Sequence, residues 1–294
     1  MRIASLCFPT AAALSAAAIL FLPASAFAQS LSSVVSGTAY TDGSGPSSFN
    51  PNPTTDGTLI QGSISSFDTT DANTYGTCGA KAQTAYGTSK ASATAQAGSN
   101  GASDGYSNSE GTSTWTDIFT LNKAGATGTA ATITYSFAFS GKMLGDDETA
   151  SLLISRASAQ VGFSKFTGNN GVNSTVVTNV LNVVYGTPFT ISAKLDVTAN
   201  ASTLSFPPSS KSSSDFLATG GAATLTLITV NNGGTDPTVG ITTASNAPYS
   251  GVTVAGGKFG TIATVPEVGT FSLLSLAFCG GGTVLALRKG RKAA

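Results

Sequence analysis

The chain has 294 residues, with 14 basic and 14 acidic side chains, 34 glycines and no histidine. Without imidazole it can build neither a Ser-His-Asp triad, nor a Cys-His pair, nor the common His-ligated zinc sites. The segment 29–267 holds all the acids but only nine of the bases, a net charge of −5 with no Lys/Arg cluster; this lacks the footprint that phosphate backbones require, and nucleic-acid binding is excluded.

Residues 1–28 open with Arg2, continue as an apolar run over 11–22, and close on Pro23 and the small-residue stretch Ala26-Phe27-Ala28. That order predicts a secretory signal peptide, with Ala26 and Ala28 filling the narrow pockets of signal peptidase and the cut falling before Gln29. Cys7 and Cys279 lie in the terminal apolar runs, so Cys78 is alone in the body and no disulfide can form there. A body of this size can be held by burial instead. With no base to activate it, Cys78 reads as an inert thiol.

Residues 29–53 are rich in Ser, Gly, Pro and Asn and are expected to be irregular. From 54 to 262 the pattern predicts strands. Residues 114–121, 131–140 and 189–198 alternate apolar with hydroxyl or charged side chains, the period of a half-buried strand. Ile133, Tyr135, Phe137 and Phe139 share one face of such a strand. Further candidates are 59–67, 82–97, 150–163, 176–185, 222–230 and 252–259, separated by Gly/Asn/Pro clusters, with 198–214 as a long loop around Pro207-Pro208. Eight or nine strands at this spacing predict an all-β fold, a single antiparallel β-sandwich of which the jelly roll is one form.

Within the body, Asp146-Asp147-Glu148 is the densest acidic cluster. It reads either as a solvated turn or as a calcium site, since carboxylates at a loop tip supply the hard oxygens that Ca²⁺ prefers; no other cofactor is expected. Trp115 reads either as a core anchor or as a sugar-stacking platform.

Residues 263–294 form a tail in three parts. Val265-Pro266-Glu267 precedes an uncharged stretch, 268–287, whose helix would rise about 30 Å, the thickness of a bilayer's hydrocarbon core. Arg288, Lys289, Arg291 and Lys292 follow and would hold the end on the cytoplasmic side, leaving the body outside. Pro266 prevents a helix from running back and biases the preceding residues toward extended backbone.

This tail resembles the PEP-CTERM sorting signal, in which a Pro-Glu-Pro motif, a membrane span and a terminal basic cluster follow one another. Pro266 and Glu267 match the first two motif positions, and Val268 stands where the second proline is expected. The resemblance implies an exported precursor held transiently in the inner membrane, processed by exosortase, and delivered to the cell surface or the exopolysaccharide matrix of a Gram-negative bacterium. It implies a non-enzymatic role, with signal peptidase, exosortase and exopolysaccharide as partners. A carbohydrate-binding or carbohydrate-active module on the same anchor is the alternative reading.

Overall fold

A computed structural model describes residues 29–260, except 68–72, 100–103, 146, 157–158, 169–170, 204–208, 219–220, 235, 237 and 250. The leader (1–28) and the tail from 261 onward lie outside the described residues, among which no helix is long and apolar enough to cross a membrane. In chain order the strands are β1 (Ser30–Thr41), β2 (Ser44–Phe49), β3 (Ile60–Phe67), β4 (Tyr75–Ala85), β5 (Thr88–Gly98), β6 (Gly105–Asn122), β7 (Ala130–Leu144) and β8 (Glu148–Arg156). They continue as β9 (Ala159–Thr167), β10 (Gly171–Val184), β11 (Phe189–Ser202), β12 (Ser209–Phe216), β13 (Ala222–Val230), β14 (Gly240–Thr243), β15 (Thr253–Ala255) and β16 (Lys258–Phe259).

These strands form two eight-stranded sheets. The first runs β16-β14-β6-β11-β8-β9, with β1 continuing the row of β14 along β6 and β2 outside β1. The second runs β15-β13-β7-β12-β5-β4-β3, with β10 on the far side of β7. All-β, two-layered packing is therefore observed, consistent with a β-sandwich. Strict antiparallelism is not: β13–β15 and β14–β16 are parallel, because the chain returns after residue 250 along the same direction as the strands it joins.

The space between the sheets divides into two unlike halves. One is aromatic. Trp115 on β6 stacks across the gap on Phe137 of β7 at 5.9 Å, and Phe139 stacks on Phe166 of β9 and on Phe216 of β12. Trp115, Phe119, Phe137, Phe139 and Phe216 are all fully buried, each worth about 1.5–3 kcal/mol on transfer from water.

The other half is thin. β4 and β5 present Ala80, Ala82, Ala91, Ala93, Ala95 and Ala97 inward, and β6 answers with Ser107, Ser109, Gly111 and Ser113. Side chains this small let the facing backbones meet, and serine hydroxyls bridge them. Ser109 Oγ donates to the Thr94 carbonyl (2.9 Å), and Ser107 Oγ donates to the Gln96 carbonyl (2.9 Å) and accepts the Gln96 N–H (3.0 Å). A Cβ at Gly76 would stand 2.1 Å from the Tyr106 carbonyl oxygen, so glycine is required there.

Several expectations are corrected. The sixteen strands among the described residues exceed the eight or nine expected, in part because 150–163 and 252–259, each read as one strand, divide into β8 and β9 and into β15 and β16. The segment 29–53 is not irregular: β1 pairs with β6 over its whole length and β2 pairs with β1. Its inward residues are small, Ser33, Val35, Gly37 and Ala39, and suit the thin half, where Ser33 Oγ meets Thr84 Oγ1 at 2.8 Å. The stretch 82–97 is a hairpin rather than one strand, turning at Tyr86-Gly87, where Gly87 takes a φ of +82°. The loop expected over 198–214 is shorter, since β11 runs to Ser202 and β12 starts at Ser209 with inward Ser212 and Ser214 serving as polar struts.

Candidate functional site

The outer face of the second sheet is a polar trough. Pairing register sets Ser63, Gly79, Thr94 and Ser213 in one row across β3, β4, β5 and β12. None of these side chains is long and Gly79 has none, so the row forms a floor between rows that carry Gln61, Lys81, Gln96 and Lys211. Gln61, Lys81, Ser92 and Asp215 make one wall; Ser65, Thr77, Gln96 and Lys211 make the other. At the trough end the Tyr75 ring lies over Gly98, and its hydroxyl accepts a 2.7 Å hydrogen bond from Gln96 Nε2.

Charge on this face is one-sided. Lys81 and Lys211 are exposed in the walls, Lys142 continues the Lys81 row on β7, and Lys90 stands on the same face one rung further along β5. Asp215 is the only acid there among the described residues; its Oδ1 accepts the N–H groups of Leu217 and Ala218, each at 3.0 Å, and its register partner on β7 is Lys142. Acids elsewhere give the body its negative charge, so the trough is a local cationic strip lined with hydroxyl and amide groups. Such a lining can hydrogen-bond a polyhydroxylated chain and pair with its carboxylates.

On the opposite outer face, Thr112 Oγ1 donates to Glu110 (3.3 Å) and to Asp196 (3.2 Å), and Lys194 Nζ pairs with Asp196 at 3.1 Å. Desolvation, then the neighbouring Asp196 charge, raises the Glu110 pKa above the usual carboxylate range. Both acids share the Thr112 hydroxyl as a partner.

One of the buried carboxylates, Asp117, is fully enclosed on β6. It accepts the N–H groups of Ile118 (2.8 Å) and Ser245 (3.1 Å), the Ser245 hydroxyl, and the Tyr249 hydroxyl at 2.7 Å. Burial, then the hydrogen bond and charge of Asp117, holds the Tyr249 phenol far above its ordinary pKa. This cluster is a latch closing the open end of the sheets with the 245–249 segment. The sequence carried a signal for it: Asp117 falls on the same alternation as Trp115, Phe119 and Leu121, the inward-facing positions.

Of the residues singled out from sequence, Gln29 is exposed just before β1. Ala26, Ala28, Val265, Pro266, Glu267, Arg288, Lys289, Arg291 and Lys292 lie outside the described residues, as does Asp146. Its neighbours diverge: Asp147 is exposed and its carbonyl accepts the Asn200 N–H (3.1 Å), whereas Glu148 points inward, 1% exposed, accepting from Ser212 Oγ at 3.3 Å. Among the described residues no group of three His, Cys, Asp or Glu side chains could hold a metal ion. Trp115 is fully buried, which makes it the core anchor and removes it as a sugar platform. Cys78 is buried and its pKa is pushed up to about 11 by that burial.

No protein-family model matches the sequence, and no curated protein matches it at a significant level.

Proposed function

We propose that this chain is an exported, non-enzymatic protein of the cell surface or exopolysaccharide matrix, whose body binds an acidic polysaccharide along the outer trough of its second sheet. Signal peptidase removes the leader before Gln29; the 268–287 span and the Arg288–Lys292 cluster hold the precursor in the inner membrane; an exosortase-like enzyme acts near Val265-Pro266-Glu267. The body then stands as one sandwich unit on the outer side. The three-part order of the tail behind an N-terminal leader supports the route. For the body, the carrying observation is the lysine-flanked row Ser63–Gly79–Thr94–Ser213, a hydroxyl-lined floor between cationic walls.

The test uses the full chain and alginate, a uronic-acid polymer, with dextran as the neutral comparison. Binding to alginate should weaken steeply with salt, since each lysine contact releases counterions by the same logic as on other polyanions. Lys81→Glu with Lys211→Glu should raise the Kd at least tenfold. Equal affinity for dextran and alginate, or an unchanged Kd in the double variant, would reject the trough. The route is tested by deleting residues 288–292: the precursor should escape processing, and unchanged size and location of the product on fractionation would remove the sorting reading.

A further inference from the structure

Edge strands invite pairing with other chains, and folded proteins blunt them by brevity, proline, charge or bulges. Several edges here follow that rule. β2 has six residues and includes Pro46; β15 and β16 have three and two; β9 carries Lys165 and joins β8 through an irregular register at Ile154/Ser155.

β10 has none of these protections. It runs for 14 residues without a charge or a proline, and it pairs with β7 on one side only among the described residues. Its outward face exposes Val172, Val176, Val180 and Val184 at 80%, 63%, 63% and 36%. Ser174, Thr178 and Asn182 stand between them.

The alternation of valine and polar side chains on that face is the same in both directions about Thr178, with Ser174 answered by Asn182. In an antiparallel pair centred there, Val176 opposes the second copy's Val180, Val172 opposes its Val184, Ser174 opposes its Asn182, and Thr178 opposes itself. A slip of two residues sets valine against hydroxyl or amide along the ladder; a slip of four restores valine pairs but shortens the overlap. Cross-strand side-chain matching is what fixes register, and opposed like charges, which would forbid self-pairing, are absent. A two-fold edge of this kind is self-complementary, the property an isologous dimer requires.

We propose that β10 is a homodimerisation edge: two copies of the chain pair antiparallel about Thr178 and join their second sheets into one. The proposal is independent of the polysaccharide reading, since the trough and β10 use different strands.

The test is site-directed cross-linking of the full chain, with Cys7, Cys78 and Cys279 replaced by Ser, Ala and Ser. Thr178→Cys places two thiol-bearing residues about 4.5–5.5 Å apart at Cα, within disulfide reach, so mild oxidation should give a covalent dimer. Val176→Cys alone leaves like residues four positions out of register, about 14 Å apart, and should stay monomeric. Val176→Cys combined with Val180→Cys should link again. Val172→Lys with Val184→Lys, both at exposed positions, should cut the Thr178→Cys dimer yield at least tenfold while the strand circular-dichroism spectrum is unchanged. No dimer from Thr178→Cys in the folded chain, equal linking through Val176→Cys alone, or a yield insensitive to the two lysines would overturn the proposal.

Discussion

The Tyr249 hydroxyl donates a 2.7 Å hydrogen bond to Asp117 Oδ2 inside the core, joining residues 132 positions apart. The Tyr249 ring also meets Trp115 edge-on, tilts against Phe119 and stacks on Phe259. Removing only the hydroxyl, in Tyr249→Phe, leaves a buried carboxylate short of one donor and should cost about 1–3 kcal/mol. Asp117→Ala strips the acceptor from four donors at once and should cost about 3–5 kcal/mol. Guanidinium unfolding of the full chain would measure both, and equal, near-zero losses would show that the latch does not stabilise the fold.

The thin half of the interior makes a sharper demand on volume. Gly76→Ala puts a methyl group 2.1 Å from the Tyr106 carbonyl oxygen, a backbone atom that cannot rotate away. Overpacking of this kind should destabilise by about 3 kcal/mol. Gly45→Ala, with nothing within 4 Å of the new carbon, should stay within about 0.5 kcal/mol of the parent. Thermal melts of the two variants side by side give the comparison.

Glu110 sets a pH dependence whose sign follows from its raised pKa. A carboxyl that holds its proton more tightly when folded favours the folded state at low pH. That contribution is present below the ordinary Glu pKa of 4.5 and is lost as pH rises through the folded value. Glu110→Gln should therefore stabilise the protein at pH 7, by no more than about 1 kcal/mol for a group on an open face. The gain should vanish near pH 4. A gain independent of pH would locate the effect elsewhere.

Cys78 should be chemically silent in the folded state. With its pKa at about 11, little thiolate exists at pH 8, and the side chain is 5% exposed. In the full chain lacking Cys7 and Cys279, labelling by a disulfide reagent at pH 8 should be about 100-fold slower than after unfolding. Comparable rates before and after denaturant would mean that the thin half opens readily.

Strands with large alternating side chains were legible from the sequence: Ile133, Tyr135, Phe137 and Phe139 are all fully buried on one face of β7. β1 and β12 were not, because apart from Val35 and Phe216 their buried positions hold Ser, Thr, Gly or Ala, which an apolar count treats as loop. The hairpin within 82–97 left a trace, since Ala80 and Ala82 face inward on even numbers and Ala91 to Ala97 on odd ones; the parity change marks the turn. Asp117 could have been found by the same alternation. The trough could not, because its residues lie on four strands separated by up to 154 positions, and only the pairing register makes them neighbours.

Among the described residues, the last two strands are also the shortest, β15 with three residues and β16 with two. If the body hangs from that end, tension enters there and should peel these two strands off at low force. The pull would then arrive at Tyr249, whose ring is wedged among Trp115 and Phe119 and whose oxygen is tied to Asp117. Between residue 249 and the tail the chain would thus behave as a short extensible leash, with a fixed stop where the two main layers begin to bear the load.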